Sequence, residues 1–102
     1  MKHTKNMYIN PSHEATELEL YALHSNPAIY RRLLGVVETL RRHVKRGNYD
    51  PARAVDAFYY TMNDAAKMYA REFMSIGAGF TVTERYTAAA AMVEHFEEDI
   101  LD

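Results

Sequence analysis

The sequence of 102 residues contains no cysteine, which excludes disulfide bonds, thiolate chemistry and cysteine-ligated zinc. It contains no tryptophan, so tyrosine and phenylalanine are the aromatic residues available to close a core. No run of about 18 apolar residues occurs, and a membrane-spanning helix is therefore not expected. With 48% hydrophobic and 25% charged residues, the composition is typical of a globular protein, and the lack of cysteine fits a cytoplasmic location.

The length predicts a single domain, because 102 residues leave no room for two independent cores. Two lysines near the N-terminus are not followed by an apolar segment, so this end does not resemble a signal peptide. We expect residues 1–11 to form a flexible N-terminal arm and residues 12–102 to form one helical domain.

Capping residues predict an antiparallel helical hairpin. Asn26 is a favourable N-cap with Pro27 in the first helical position, and Gly47 can close this helix in the left-handed conformation. Asp50 and Pro51 repeat the starting signal after a short connection, which makes the two helices antiparallel neighbours. The predicted hairpin helices span residues 27–46 and 51–74. Gly35 falls inside the first of them, where a close crossing with another helix would compensate for its low helix propensity.

Two further helices are predicted on either side of the hairpin. Thr16 and Glu19 have capping-box spacing in a short helix that begins at about residues 13–17 and ends at His24. Thr81 with Glu84 has the same spacing before a helix over residues 82–101, and Thr83 is an alternative cap there. The apolar stripe of this last helix, which we expect to be buried, comprises Val82, Tyr86, Ala89, Ala90, Val93, Phe96 and Ile100. The fold class predicted is all-α, a compact bundle of four helices, one short and three long.

Several short motifs resemble a family of small uncharacterised proteins encoded by bacteriophages and related mobile elements. The segments that carry the likeness are Glu17-Leu18-Glu19-Leu20-Tyr21, Tyr30-Arg31-Arg32, residues 45–50, residues 65–69 and Glu72-Phe73. The likeness extends over about residues 16–98. It departs from the family pattern at Pro51, which follows Asp50, and in the short linker between the third and fourth helices. The resemblance implies a helical fold and a phage-like origin, and it implies no activity.

The charge of the chain is unevenly distributed, although the net charge is only −2. Residues 1–47 carry eight Lys or Arg against four acids, a balance of +4, and residues 48–102 carry four against ten, a balance of −6. Half of all the cations lie on the second helix, opposite or beside its apolar stripe. We define them as the basic face: Arg31, Arg32, Arg41, Arg42, Lys45 and Arg46.

Three interpretations of the basic face remain open. It can be a solvated face, neutralised in part by the acidic C-terminal residues Glu94, Glu97, Glu98, Asp99 and Asp102. It can bind a protein partner. It can also contact the phosphates of a nucleic acid, although no glycine-rich loop, aromatic-interleaved basic strand or helix-turn-helix spacing accompanies it.

Eight tyrosines in 102 residues form the second unusual feature. Tyrosine combines a large apolar area with a polar tip, which suits both the margin of a small core and a protein interface. Tyr59 and Tyr60 point in different directions from one helix, so we include Tyr60 among the candidate interaction residues. A small bundle with several broad apolar stripes also favours self-association as a homodimer.

The chemistry-bearing residues form no recognisable reaction centre. No two of the five histidines are three or four residues apart on a predicted helix, and the serines lack a motif that activates a nucleophile. We therefore expect no metal, no cofactor, no small-molecule site and no enzymatic activity. The function predicted is that of a phage-type accessory protein in the host cytoplasm, which acts through a protein partner or a second copy of itself. Nucleic-acid binding through the basic face is the alternative.

Overall fold

The computed structural model describes residues 13–102, with side chains from Glu14 onward. The predicted arm, residues 1–11, lies outside the described residues. The described part of the chain begins with α1 (His13–Leu20), which continues into a short π-helical segment, Tyr21–Ser25. Thr16 lies within α1 and not at its N-cap, so the capping box predicted there is wrong.

The second helix, α2 (Pro27–Lys45), begins and ends as its capping residues predict. The side chain of Asn26 accepts a hydrogen bond from the amide of Ile29 at 3.0 Å, and Pro27 occupies the first turn. Gly47 has φ 77°, and its amide and that of Asn48 donate back to the carbonyls of Val44 and His43. This paired return of amides is the Schellman arrangement that closes many helices.

The third predicted helix is divided into two. Asp50 caps α3 (Pro51–Met68) by accepting from the amide of Ala52 at 3.0 Å. Tyr69, with φ −122° and ψ 41°, interrupts the helix before α4 (Ala70–Ile76). The bend lets Phe73 pack edge-on against Tyr21, with ring centroids 5.6 Å apart, and α4 thereby closes against α1.

The last predicted helix is divided in the same way. The capping box of Thr81 and Glu84 is present at the start of α5 (Val82–His95). Phe96 interrupts the helix before α6 (Glu97–Leu101), and its buried ring stacks on Phe58 with a centroid separation of 5.8 Å. Packing of the buried aromatic ring at the interruption directs α6 against α2.

The hydrophobic core lies where α3 and α1 pack on α5 and where α2 packs on α3 and α6. The largest fully buried side chains are Leu18, Ile29, Leu33, Phe58, Met62, Met92, Phe96 and Ile100. Residues 13–102 contain no strand, which confirms the all-α class. They form six α-helices and not four, because the third and fourth predicted helices bend at Tyr69 and Phe96.

Two packing predictions for the helices are wrong. Val82 and Tyr86, expected in the core, are 59% and 41% exposed. Gly35 is also exposed, and a Cβ added there would meet no atom of the described residues within 4 Å, so no helix among residues 13–102 crosses closely enough to compensate for it. None of the helices within residues 13–102 combines the length and apolar character needed to cross a membrane.

Candidate interaction surfaces

The basic face lies along the outer surface of α2, as the helical spacing predicts. Five of its six cations are exposed, and the sixth, Arg41, is partly buried. The exposed members are Arg31, Arg32, Arg42, Lys45 and Arg46. Their common orientation follows from the opposite stripe of α2, where Ile29, Leu33, Val37 and Leu40 enter the core.

Arg41 has a different position from the rest of the basic face. Its Nη1 donates a hydrogen bond to the backbone carbonyl of Asp99 in α6. The contact satisfies a carbonyl near the C-terminal end of α6, where the last carbonyls of a helix have no partner within it. It also places a cation near that end, where the helix dipole favours positive charge. Arg41 therefore joins α2 to α6.

The basic face is not neutralised by side-chain ion pairs within the described part of the chain. Among residues 13–102, none of its six cations has a carboxylate oxygen within 4.0 Å, whereas Arg53 and Asp50 pair at 4.0 Å. The acidic C-terminal segment does pack against α2, but it contacts Arg41 through a backbone oxygen. The exposed cations thus keep their charge available to a partner.

An open groove of about 410 Å³ runs between α2 and α3. Its lining, which defines the α2–α3 groove, comprises Arg32, Gly35, Val36, Thr39, Leu40, His43, Arg53, Ala57 and Thr61. The hydroxyls of Thr39 and Thr61 donate to carbonyls of their own helices, at 3.2 and 3.1 Å. Because those hydroxyl protons are already used, the free hydrogen-bond donors of the lining are mainly its basic side chains.

A second surface is formed by three tyrosines at the outer side of α3 and α5. The ring of Tyr59 lies 5.7 Å from that of Tyr60 and 5.8 Å from that of Tyr86, measured between centroids. Val82 is one helical turn before Tyr86 on α5 and so shares its face. Tyr60, Val82 and Tyr86 are 63%, 59% and 41% exposed. We call these four residues, Tyr59, Tyr60, Val82 and Tyr86, the aromatic surface.

Charges of both signs surround Tyr60 on α3. Arg53, Asp56, Asp64 and Lys67 are all exposed, and they stand four and seven residues before and after Tyr60. That spacing keeps all of them on the outer face of one helix. The outer face of α3 therefore differs in charge from α2, whose exposed face is cationic apart from Glu38.

A hydrogen-bond network, buried at Asn26 and exposed at Glu72, links the π-helical segment to α2 and α4. Asn26 Nδ2 donates to the hydroxyl of Tyr21 at 2.8 Å, and that hydroxyl donates to Glu72 Oε1 at 3.3 Å. Burial raises the pKa of the Tyr21 phenol above 10.0, the hydrogen bond from Asn26 lowers it, and the carboxylate of Glu72 raises it. Since each group in this hydrogen-bond network has a partner, we interpret the network as structural.

The packing of α1 on α5 brings two carboxylates together. Burial raises the pKa of Glu19 above its ordinary value of 4.5, the carboxylate of Glu94 raises it further, and His24 lowers it. Within residues 13–102 there is no group of three or more His, Asp or Glu placed to hold a metal ion.

The basic face and Tyr60 are predictable from the sequence, but the groove and the exposure of Val82 and Tyr86 are not. The exposure of Tyr86 and Val82 had no local signal, because their helical spacing equals that of core residues. Gly35 and Thr39 are four residues apart on α2, and this spacing could have indicated a strip of small side chains beside the basic face. Its pairing with Ala57 of α3 depends on the helix packing. Comparison of the chain with protein-family models, with curated proteins and with solved structures finds no match.

Proposed function

We propose that the protein is a non-enzymatic interaction protein whose aromatic surface pairs two copies of the chain. The observation that carries this proposal is the ring-to-ring contact of Tyr59 with Tyr60 and Tyr86 at a solvent-exposed surface. Tyrosine is enriched where interfaces are well packed, because it contributes a large contact area with few rotatable bonds. Four helical rods, with α3–α4 and α5–α6 each acting as one bent helix, would hold this surface rigid.

Two opposite charges on the outer face of α3 fit a second copy as the occupant of the aromatic surface. A two-fold axis makes the same surface face itself, so the surface must complement its own charges. Asp56 and Lys67 are both exposed on the outer face of α3, and antiparallel pairing of two α3 helices about an axis midway between positions 56 and 67 would set each against the other's opposite charge. The cationic face of α2 would instead repel a second copy of itself.

Light scattering after size-exclusion chromatography tests the proposed homodimer. The unmodified chain should have twice the monomer mass of 11.8 kDa. Tyr60→Ser should shift the mass to that of the monomer, because it removes the most exposed ring of the aromatic surface. Leu34→Ser is the matched control, since Leu34 is 42% exposed on α2, away from that surface.

The outcome is decisive in either direction when circular dichroism shows that both variants keep their helix content. A monomer mass for the unmodified chain would contradict the homodimer. Equal loss of mass in the Leu34 and Tyr60 variants would also contradict it, because the effect would not be local to the aromatic surface.

The resemblance to phage-encoded proteins suggests a biological role for the dimer. We propose that the dimer serves as an accessory factor in the host cytoplasm and binds a host or phage protein. The proposal carries no reaction, metal or cofactor.

Nucleic-acid binding is the second candidate function, and it is favoured by Arg42 and Arg46, which are exposed and have no carboxylate partner among residues 13–102. Each phosphate neutralised by such a side chain releases counterions, so binding should weaken steeply as salt rises. A gel shift with duplex DNA at low salt, repeated with Arg42→Glu and Arg46→Glu combined, tests this candidate. No shift at low salt would eliminate it.

A further inference from the structure

The α2–α3 groove combines an apolar interior with cationic edges. Leu40 is buried, and Val36 and Ala57 are partly buried along its length. Gly35 contributes no side chain, and the direction of its absent Cβ is open for at least 4 Å. A groove of this kind has room for apolar side chains that are presented one helical turn apart.

The cations of the groove lie on both of its sides. Arg32 belongs to α2, Arg53 belongs to α3, and the lining contains no acid. Arg42 stands beside the groove, where its Nη2 donates to Thr39 Oγ1 at 3.3 Å. Asp50, which pairs with Arg53 at 4.0 Å, is outside the lining, and Arg53 remains 85% exposed in that pair.

We propose that this groove binds an acidic amphipathic helix of a partner protein. The inference rests on the proposed function, since it names the chemistry of the partner that the dimer would recognise. An apolar stripe of the partner helix occupies the space over Val36, Leu40 and Ala57, and carboxylates on its two flanks face Arg32 and Arg53. This is the helix-in-groove form of recognition, in which apolar anchors supply affinity and charge selects the partner.

Other occupants fit the groove less well. A second copy would bring its own cationic α2 toward the same cations, and like charges at an interface are unfavourable. A nucleic acid would use the exposed outer cations, Arg31 among them, and would leave the apolar interior uncovered. The groove therefore favours an acidic partner, whereas charges of both signs surround the aromatic surface.

A synthetic peptide pair tests the proposal directly. The probe is a labelled helical peptide of about 15 residues, roughly four turns, with leucines at helical spacing and glutamates on both flanks. Its partner peptide has lysine in place of every glutamate. Fluorescence anisotropy with the full chain should show binding of the acidic peptide, weaker binding at higher salt and no binding of the lysine peptide.

Adjacent arginines supply the matched variants. Arg32→Glu places an acid in the groove and should raise the dissociation constant of the acidic peptide by about tenfold or more. Arg31→Glu, on the same helix but outside the lining, should change that constant by less than about threefold. Gly35→Leu, which adds a side chain where no atom lies within 4 Å, should also weaken binding without altering charge. Circular dichroism confirms that each variant is folded.

The possible results separate this inference from the proposed dimer. The proposal that the groove binds an acidic helix is contradicted if the unmodified chain does not bind the acidic peptide at low salt. It is also contradicted if Arg31→Glu and Arg32→Glu weaken peptide binding equally. Equal weakening together with a DNA gel shift supports nucleic-acid binding instead. A monomer mass combined with Arg32-dependent peptide binding contradicts the dimer and supports the groove.

Discussion

The glycines of this chain differ in what an added methyl group would meet. At Gly35, an exposed position within α2, a Cβ has open space and the backbone has ordinary helical geometry. At Gly77 the space is also open, but φ is 68°. At Gly79 φ is 86°, and a Cβ would lie 2.6 Å from a ring carbon of buried Phe73 and 3.3 Å from Leu18.

Alanine substitution at these three positions should therefore give three distinct stabilities. Gly35→Ala should stabilise the fold by about 1 kcal/mol, because it removes only the cost of glycine within a helix. Gly77→Ala should cost about 1 kcal/mol through the left-handed backbone alone. Gly79→Ala should cost roughly 2–4 kcal/mol, since a steric clash with a packed ring is added. Urea unfolding measures all three.

Gly77→Ala serves as the control for Gly79→Ala, because the two share the positive φ and differ in the contact. Equal destabilisation at the two positions would mean that Phe73 moves aside without cost. A destabilised Gly35→Ala would mean that the open space beside α2 is occupied by another part of the protein or by a second copy.

At the scale of the elements, the loop between α4 and α5 is held by one carboxylate. Glu84 Oε1 accepts from the amides of Gly79, Phe80 and Thr81, at 3.1, 2.9 and 3.2 Å. Thr81 Oγ1 accepts from the amide of Glu84 at 3.0 Å, which completes the capping box. Arg85 adds a hydrogen bond to the carbonyl of Gly79 at 2.7 Å. The loop is thereby fixed to the first turn of α5.

Glu84→Ala should lower the free energy of unfolding by about 1–2 kcal/mol, because three amides lose their acceptor and the cap loses one member. Hydrogen exchange should accelerate first at the amides of residues 79–81. Glu84→Gln, which keeps a carbonyl oxygen at the same place, should recover most of the loss. Exchange that accelerates evenly over all helices would contradict a local role.

The starts of α2, α3 and α5 were predictable because a cap is a local event. Asn26, Asp50 and Thr81 each satisfy backbone amides two or three residues ahead of them, so a few letters of sequence contain the whole interaction. The interruptions at Tyr69 and Phe96 were not predictable in this way. Each depends on a ring contact with a residue far along the chain, Phe73 with Tyr21 in one case and Phe96 with Phe58 in the other.

At the scale of the whole molecule, packing of α1 on α5 places Glu19 near Glu94, and the pKa of Glu19 is raised, first by burial and then by this second carboxylate. A carboxyl whose pKa is higher in the folded state binds more protons folded than unfolded. Its contribution to stability is present below the unfolded pKa of 4.5. It is lost as pH rises through the folded pKa.

Glu19→Gln should accordingly raise the melting temperature at pH 7 and have little effect below pH 4, because a glutamine remains neutral throughout. Thermal unfolding across this pH range measures the difference. Glu38→Gln, on the exposed face of α2, is the control for the loss of one carboxylate at an exposed position. A destabilised Glu19→Gln at pH 7 would show that the ionised carboxylate is favourable where it lies.

Some of the candidate surfaces follow from local sequence patterns, and others depend on how the helices pack. The basic face was predictable, since five cations opposite an apolar stripe must face outward when the stripe is buried. The α2–α3 groove needed the structure, because Gly35 and Ala57 belong to different helices and only packing sets them on the same surface. Exposure of Val82 and Tyr86 needed it as well, since an apolar residue at core spacing is buried only if another element covers it.

The sequence by itself determined that this chain is helical, where α2, α3 and α5 begin, and that α2 has a cationic outer face. These properties depend on caps, periodicity and side-chain charge, which act within a few residues. The tertiary structure alone decided where the helices bend, which tyrosines reach solvent, and which cations join an apolar groove. Those properties depend on contacts between distant segments, whose free energy no short stretch of sequence contains.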